Sequence, residues 1–252
     1  MSDLPAATAT EQFGSRGMRL VAERCGEEGS QVTVLLLHGL GMGRRVFGDL
    51  VGHLAAHAFI VAVDLPGYGD APEPAHIPSI EAIADLAADY LRGLGRGPAV
   101  VIGHSMGTQV AAEVAARHPE LVSHLVLVAP TVDPRARRTL VQLGRLCRDL
   151  LGESPKVLFL GAREYLRSGP NLRRKVTAMM RHRPEDVYPL VQAPALVLRG
   201  GTDPVSPQRW CEQVTAMLPD ARLVVIEEHG HETLISDARP AAAEILRLIA
   251  RG

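Results

Sequence analysis

The stretch from Ala99 to Arg117 reads AVVIGHSMGTQVAAEVAAR. Ala99–Ile102 is a short apolar run of strand type, and Met106–Arg117 has the composition of a helix. Between them lies Gly103-His104-Ser105-Met106-Gly107, a Gly-x-Ser-x-Gly turn in strand–turn–helix context. Such a turn lifts a serine hydroxyl above the tips of a sheet. It leaves little room on either side, so glycines stand two residues before and after the serine. The serine also sits at a helix N-terminus, whose N–H groups and positive dipole end favour a developing negative charge. Ser105 is therefore the candidate nucleophile.

Working outward, short apolar runs alternate with amphipathic ones, the signature of a mainly parallel sheet. Strands are expected at Met18–Cys25, Val32–Leu37, Phe59–Asp64, Ala99–Ile102, Leu125–Val128, Ala195–Arg199 and Arg222–Ile226. Several are almost wholly apolar, as strands covered on both faces are. Helices are expected at Val46–Ala56, Ile80–Leu94, Met106–Arg117, Gln208–Leu218 and Pro240–Ala250. Ile80, Ile83, Ala84, Ala87 and Leu91 form one stripe at helical spacing, and Ser79 suits the N-cap. The first 12 residues read as a loose tail. About 60 residues between Val128 and Ala195 lack a clear strand but hold helical stretches at Thr139–Leu151 and Leu172–Arg181. They read as an inserted helical cap.

A serine hydroxyl needs a base, and the base needs an orienting acid. In a fold built on such a turn both lie on loops at the strand tips, in the chain order Ser, Asp or Glu, His. Of the downstream histidines, His118 ends the elbow helix, His124 opens a strand at the wrong edge, and His182 falls in the cap. His229 and His231 follow the last strand. His231 is preferred as base, after Gly230, and His229 is the alternative. Asp203 follows the strand Ala195–Arg199 and is preferred as acid; Asp133, after the preceding strand, is the runner-up. Asp-Pro also favours turns for purely local reasons.

An oxyanion needs two preorganised donors. The backbone N–H of Met106 supplies one. The glycine-rich loop His38-Gly-Leu-Gly-Met-Gly43 supplies the other, from Leu40 first and Gly41 second. The glycine spacing of this loop is not that of a dinucleotide site, and no acidic residue stands where a ribose would need one. His38 reads as a loop brace. No cofactor and no metal are called for.

Composition narrows the partners. Hydrophobic residues make up 46% of the 252, an ordinary globular fraction, and a formal net charge of −1 offers no bulk attraction to nucleic acid or membrane. Cys25, Cys147 and Cys211 fit neither a metal set nor a Cys-x-x-Cys pair, and read as free thiols. Met1 to Gln12 lacks the charge and apolar run of a signal peptide, and no apolar run nears the ~20 residues of a spanning helix. A cytoplasmic monomer or homodimer is expected.

Together, His38-Gly39, Asp64-Leu-Pro-Gly-Tyr-Gly69, the Ser105 turn, Gly200-Gly-Thr-Asp-Pro204 and His229-Gly-His231 resemble the α/β-hydrolase family over roughly residues 17–251. The resemblance implies an eight-stranded, mostly parallel sheet flanked by helices. It also implies a cap after the sixth strand, with the core at 13–130 and 191–252 and the cap at 131–190. The Asp64–Gly69 turn would be structural, edging the pocket. Members such as epoxide hydrolases and haloalkane dehalogenases use an aspartate nucleophile, against which Ser105 argues. Thr108 departs from the family's usual Gly or Ala, and the first hairpin is poorly marked.

Residues 131–190 carry 13 basic and 6 acidic side chains, against 14 and 22 in the rest. The excess fits an acidic partner such as an acyl carrier protein, or solvated arginines around an apolar pocket. Leu140, Leu143, Leu146, Leu150, Leu158 and Phe159 fit an apolar acyl site or cap packing. The leading expectation is hydrolysis of a carboxylic ester of a small or medium apolar substrate through an acyl-enzyme. The alternatives are a thioesterase or acyltransferase, a hydrolase of a diketone carbon–carbon bond, and a non-hydrolytic enzyme or receptor. A cofactor-free peroxidase side reaction is also open to such a site.

Overall fold

The computed structural model describes residue 4 and residues 7–136 and 171–250. The strands are β1 (Ala7–Ser15), β2 (Met18–Gly26), β3 (Thr33–Leu37), β4 (Phe59–Asp64), β5 (Ala99–His104), β6 (Val122–Val128), β7 (Ala195–Gly200) and β8 (Ala221–Ile226). They form one sheet in the order β1-β2-β4-β3-β5-β6-β7-β8. β2 runs antiparallel to β1 and β4, and all pairs from β4 to β8 are parallel. The order folds outward from β3 and β5 in both directions, which leaves their C-terminal tips at the centre of one sheet edge.

The helices are α1 (Gly48–Leu54), α2 (Ile80–Leu94), α3 (Met106–Arg117), α4 (Leu172–Arg181), α5 (Pro184–Val187), α6 (Gln208–Met217) and α7 (Arg239–Ile249). The side-chain alternation of a strand splits the core in two. Leu35, Leu37, Val101 and Leu127 face a layer with Ile83, Leu86, Val110 and Trp210 of α2, α3 and α6. Val34, Leu36, Ile102 and Val126 face the other layer, with Leu50, Leu54, Ala242 and Ile245 of α1 and α7. Ser79 caps α2, its hydroxyl accepting the Ala82 N–H at 3.3 Å.

The amino-terminal segment corrects the expectation of a loose tail. Residues 7–15 form β1, hydrogen-bonded along β2 through the two-residue turn Arg16–Gly17. β1 is exposed or half-exposed throughout, so it carries no buried face for a hydrophobic pattern to reveal. Its anchors are polar. The Ser15 hydroxyl and the Arg16 guanidinium both bind Asp89 of α2, at 2.7 and 2.8 Å.

Between β6 and β7 the described residues hold α4 and α5. Leu172–Arg181 is helical as expected, whereas Thr139–Leu151 and the apolar positions 140–159 lie outside the described residues. α4 is fastened to the turn after β4. The Lys175 ammonium donates to the Gly67 carbonyl, reaches Glu73 Oε2 at 2.8 Å, and stands 4.4 Å from the Tyr68 ring centre. Cys25 and Cys211 are buried free thiols, pushed up to about 12 and about 11 chiefly by burial. Cys147 lies outside the described residues. Among the described residues no helix is long and apolar enough to cross a membrane.

Candidate active site

Ser105 stands where β5 ends and α3 begins, with φ 53° and ψ −118°. This is a sparsely populated conformation for a residue with a Cβ, and it persists because the surroundings hold it. The Ser105 N–H donates to Val128 O at 2.9 Å, extending the β5–β6 ladder by one bond. The Ser105 carbonyl accepts from Thr108 N at 2.9 Å and from Thr108 Oγ1 at 2.6 Å. The glycines are needed for close approach. A Cβ on Gly103 would collide with the Gly107 carbonyl, and one on Gly107 with the Leu37 carbonyl.

The loop after β3 lies directly against this turn. A Cβ on Gly39 would sit 3.1 Å from the Ser105 Cβ. Met42 N donates to Gly39 O at 3.2 Å, closing a turn over Leu40 and Gly41, and Gly41 takes φ 71°. A positive φ at the third turn position asks for glycine, and the N–H of the second position, Leu40, takes no part in closing the turn. Met106 is the first residue of α3, where N–H groups have no intrahelical acceptor. His38 braces the base of the loop. Its Nε2 accepts the Leu65 N–H at 3.1 Å, so Nδ1 carries the proton and donates to Gly39 O at 2.7 Å. Burial holds its pKa below the ordinary imidazole value, which favours this neutral tautomer.

Asp203 and His231 meet across 28 residues. His231 Nδ1 lies 2.9 Å from Asp203 Oδ2, and both side chains are almost fully buried. The carboxylate accepts, so Nδ1 carries the hydrogen and Nε2 is left as the basic nitrogen. The other Asp203 oxygen accepts from Val205 N at 2.7 Å and Ser206 N at 3.0 Å. Burial alone would raise this carboxyl. The adjoining His231 and the two N–H groups outweigh it and hold the pKa below the usual carboxylate range.

The alternatives are engaged elsewhere. Asp133 accepts from Arg135 N and from Arg209 Nη2, at 2.9 and 3.0 Å. His229 bonds the carbonyls of Glu227 and Asp237 at 2.8 and 3.1 Å. His118 pairs with Asp85 at 2.9 Å, and His124 lies within β6. His182 pairs with Glu113 at 2.7 Å; with Glu81 these form a group of metal-ligand type within 4.8 Å, two turns along α3 from Ser105.

The sequence profile of the alpha/beta hydrolase family matches residues 34–244. The chain belongs to that family. The match spans every strand from β4 to β8 and most of β3, together with the Ser105 turn. Among curated relatives of this alpha/beta hydrolase, a pimeloyl-[acyl-carrier protein] methyl ester esterase of Neisseria meningitidis is 31% identical over 252 residues. The alignment covers 90% of this chain and 79% of that one. An (E)-2-((N-methylformamido)methylene)succinate hydrolase of Acinetobacter baylyi is 24% identical, over 81% of this chain and 85% of the relative. Among solved structures, the enol-lactonase of Burkholderia xenovorans superposes with a TM-score of 0.83 at 20% identity. It covers 95% of this chain and 100% of that one, a likeness of fold.

Two supporting residues of this alpha/beta hydrolase escaped the sequence reading. Arg199, buried at the end of β7, gives Nε to Ser206 O, Nη1 to Gly201 O and Nη2 to Asp203 O, at 3.1, 3.2 and 3.1 Å. It ties down the loop that presents Asp203. A cation ending the run Ala195-Leu-Val-Leu-Arg199 was the available signal, because a charge buried at a strand tip needs partners there. His104 is the second, and its Nε2 lies 2.8 Å from the His231 carbonyl.

Proposed function

We propose that this alpha/beta hydrolase cleaves a carboxylic ester through an acyl-enzyme on Ser105. The observation that carries the reading is the buried Asp203–His231 pair, whose loop is bonded to the residue next to a strained Ser105. His231 Nε2 takes the Ser105 proton as the hydroxyl oxygen attacks the ester carbonyl carbon. The N–H groups of Leu40 and Met106 receive the oxyanion. His231 then gives its proton to the departing alkoxide, which leaves as an alcohol. Water loses a proton to His231, attacks the acyl-enzyme, and releases the acid and the free serine. Asp203 keeps the imidazole in its working tautomer and stabilises its charged form.

The proposed substrate is a methyl ester at the end of an acyl chain carried by an acyl carrier protein. The relatives named for such an ester support it, as does the basic balance of residues 131–190, which we propose form the cap. On α4, Arg173, Arg174 and Arg181 are exposed whereas Lys175 is buried. The arginines therefore supply the outward charge that an acidic carrier protein would meet, and Lys175 holds the helix in place.

The test compares a dicarboxylate monomethyl ester on an acyl carrier protein with the same acyl group on a small thiol. The expected result is release of methanol from both, with kcat/KM higher on the carrier and falling as salt rises. Equal kcat/KM on the two at all salt concentrations removes the carrier protein from the proposal. Failure to hydrolyse any ester removes the ester chemistry.

A further inference from the structure

Ser105 and His231 belong to segments 126 residues apart in the chain, and one side chain joins them. His104, at the end of β5, is fully buried, and its Nε2 lies 2.8 Å from the backbone carbonyl of His231. A carbonyl only accepts, so Nε2 carries the hydrogen and Nδ1 does not. The two imidazole rings stand 5.1 Å apart, tilted by 48°. On its other side the ring packs on the loop after β3, where a Cβ on Gly39 would lie 3.3 Å from His104 Nδ1. His104 is thus in touch with the base loop and the loop that carries Leu40, and it directly precedes the nucleophile.

We propose that His104 is a positioning residue that sets the base: its Nε2–H holds the His231 carbonyl and thereby fixes the imidazole relative to Ser105. The proposal rests on the reading of Ser105 as nucleophile and His231 as base. The bond crosses from the elbow strand to the loop that follows β8. Residues 227–238 form turns in which Glu228 takes φ 62°. The loop is pinned on its β7 side where Thr202 N and Oγ1 donate to the His229 carbonyl, at 3.0 and 2.8 Å. His104 pins it two residues later, at the base itself. His104 is neutral above about pH 4. Burial is the main reason that it is neutral, bringing its pKa down to about 4, with the charge of His231 acting in the same direction. The bond to the His231 carbonyl, Asp203 and Glu232 act the other way and do not overcome it.

The test uses His104→Gln and His104→Leu. A glutamine amide reaches about as far as imidazole Nε2 and donates without titrating, whereas leucine fills the space and donates nothing. Ester hydrolysis, its pH profile and the rate of Ser105 labelling by a fluorophosphonate are measured for each. The expected result for His104→Leu is a kcat about 100-fold lower, slower labelling and a displaced acidic limb of the pH profile, as a misplaced base gives. KM should stay within about threefold, since ground-state binding is untouched. His104→Gln should recover kcat to within about tenfold of wild type. His104→Asn, whose shorter amide falls short of the carbonyl, stands in for the leucine variant if the latter does not fold, and should behave like it. The proposal is overturned if folded His104→Leu keeps wild-type kcat, or if Gln and Leu variants lose kcat equally. Labelling separates this from its parent reading. A wild type whose Ser105 does not label, or a His231→Ala variant that labels at full rate, overturns both. Normal wild-type labelling that His231→Ala abolishes and His104→Leu leaves alone overturns the His104 proposal only.

Discussion

Two buried charge clusters sit at the same edge of the sheet and do different work. In one, Arg44 meets Glu23 Oε2 at 2.6 Å, Asp70 Oδ2 at 2.9 Å and the Asp64 carboxylate, and its own N–H donates to Asp64 Oδ1 at 2.6 Å. Glu23 Oε1 also accepts from Leu4 N at 2.6 Å, and Asp64 Oδ2 accepts from Asp70 N at 2.8 Å as well as from Arg44. In the other, Asp203 faces His231. A guanidinium is permanently charged and spreads its donors in a rigid fork, so it closes a cluster around itself. An imidazole gives one nitrogen to its carboxylate and keeps the second for proton transfer. Both clusters bury charge at a cost, and both offset it with hydrogen bonds. The first joins β2, the turn after β4 and the start of the segment before α1. The second is the one we propose supports chemistry. What separates them is the cation.

Exchanging charge for a neutral isostere in each cluster tests that contrast most strongly. Asp203→Asn should lower kcat/KM about 10⁴-fold, because the amide favours the wrong imidazole tautomer. Its melting temperature should fall less than that of Arg44→Met, as the two backbone N–H bonds to the side-chain oxygen survive. Arg44→Met should do the reverse. Leaving Glu23 and Asp64 buried without their cation should cost about 3–5 kcal/mol in urea unfolding, while kcat per folded molecule stays within about tenfold. A stable but inactive Arg44→Met would erase the contrast.

A smaller effect sharpens it. Unfolded histidine titrates near its ordinary value of 6.5, whereas folded His104 titrates at about 4. As pH falls from 6.5 towards 4 the unfolded chain binds a proton that the folded chain does not, so stability falls through that window. Wild type should lose about 2 kcal/mol there that His104→Gln does not lose, measured by urea unfolding at pH 6.5 and 4.5. The low pKa of Asp203 acts in a separate window. Its stabilisation is present above the ordinary carboxylate range and is lost at lower pH, as the folded carboxyl takes up its proton. The smallest effect concerns the elbow. Thr108→Val should cost about 1 kcal/mol in unfolding by deleting the bond to the Ser105 carbonyl, with kcat nearly unchanged.

The parts of this molecule that read clearly from sequence are those where sterics leave little choice. Gly103 and Gly107 have no space for a Cβ, so the turn announces itself in letters. The buried parallel strands do so as well, because both of their faces are apolar. β1 escaped because it is an edge strand held by Asp89 and by main-chain bonds, neither of which leaves an apolar pattern. His104 escaped for a related reason. It occupies a variable position of the motif, and its role depends on a carbonyl 127 residues away that no local pattern can reveal. Thr108 looked like a departure from the family pattern, and its hydroxyl bonds the Ser105 carbonyl. The charge excess of residues 131–190 was legible as a count, but spacing alone did not separate buried Lys175 from exposed Arg173 and Arg174.

The most direct test of the central claim is mass spectrometry after fluorophosphonate treatment of wild type, Ser105→Ala and His231→Ala. An activated serine predicts one label per chain on Ser105, none on Ser105→Ala, and labelling of His231→Ala slowed about 10⁴-fold. A folded wild type that stays unlabelled, or a label carried by another serine, would contradict the assignment of Ser105 as nucleophile.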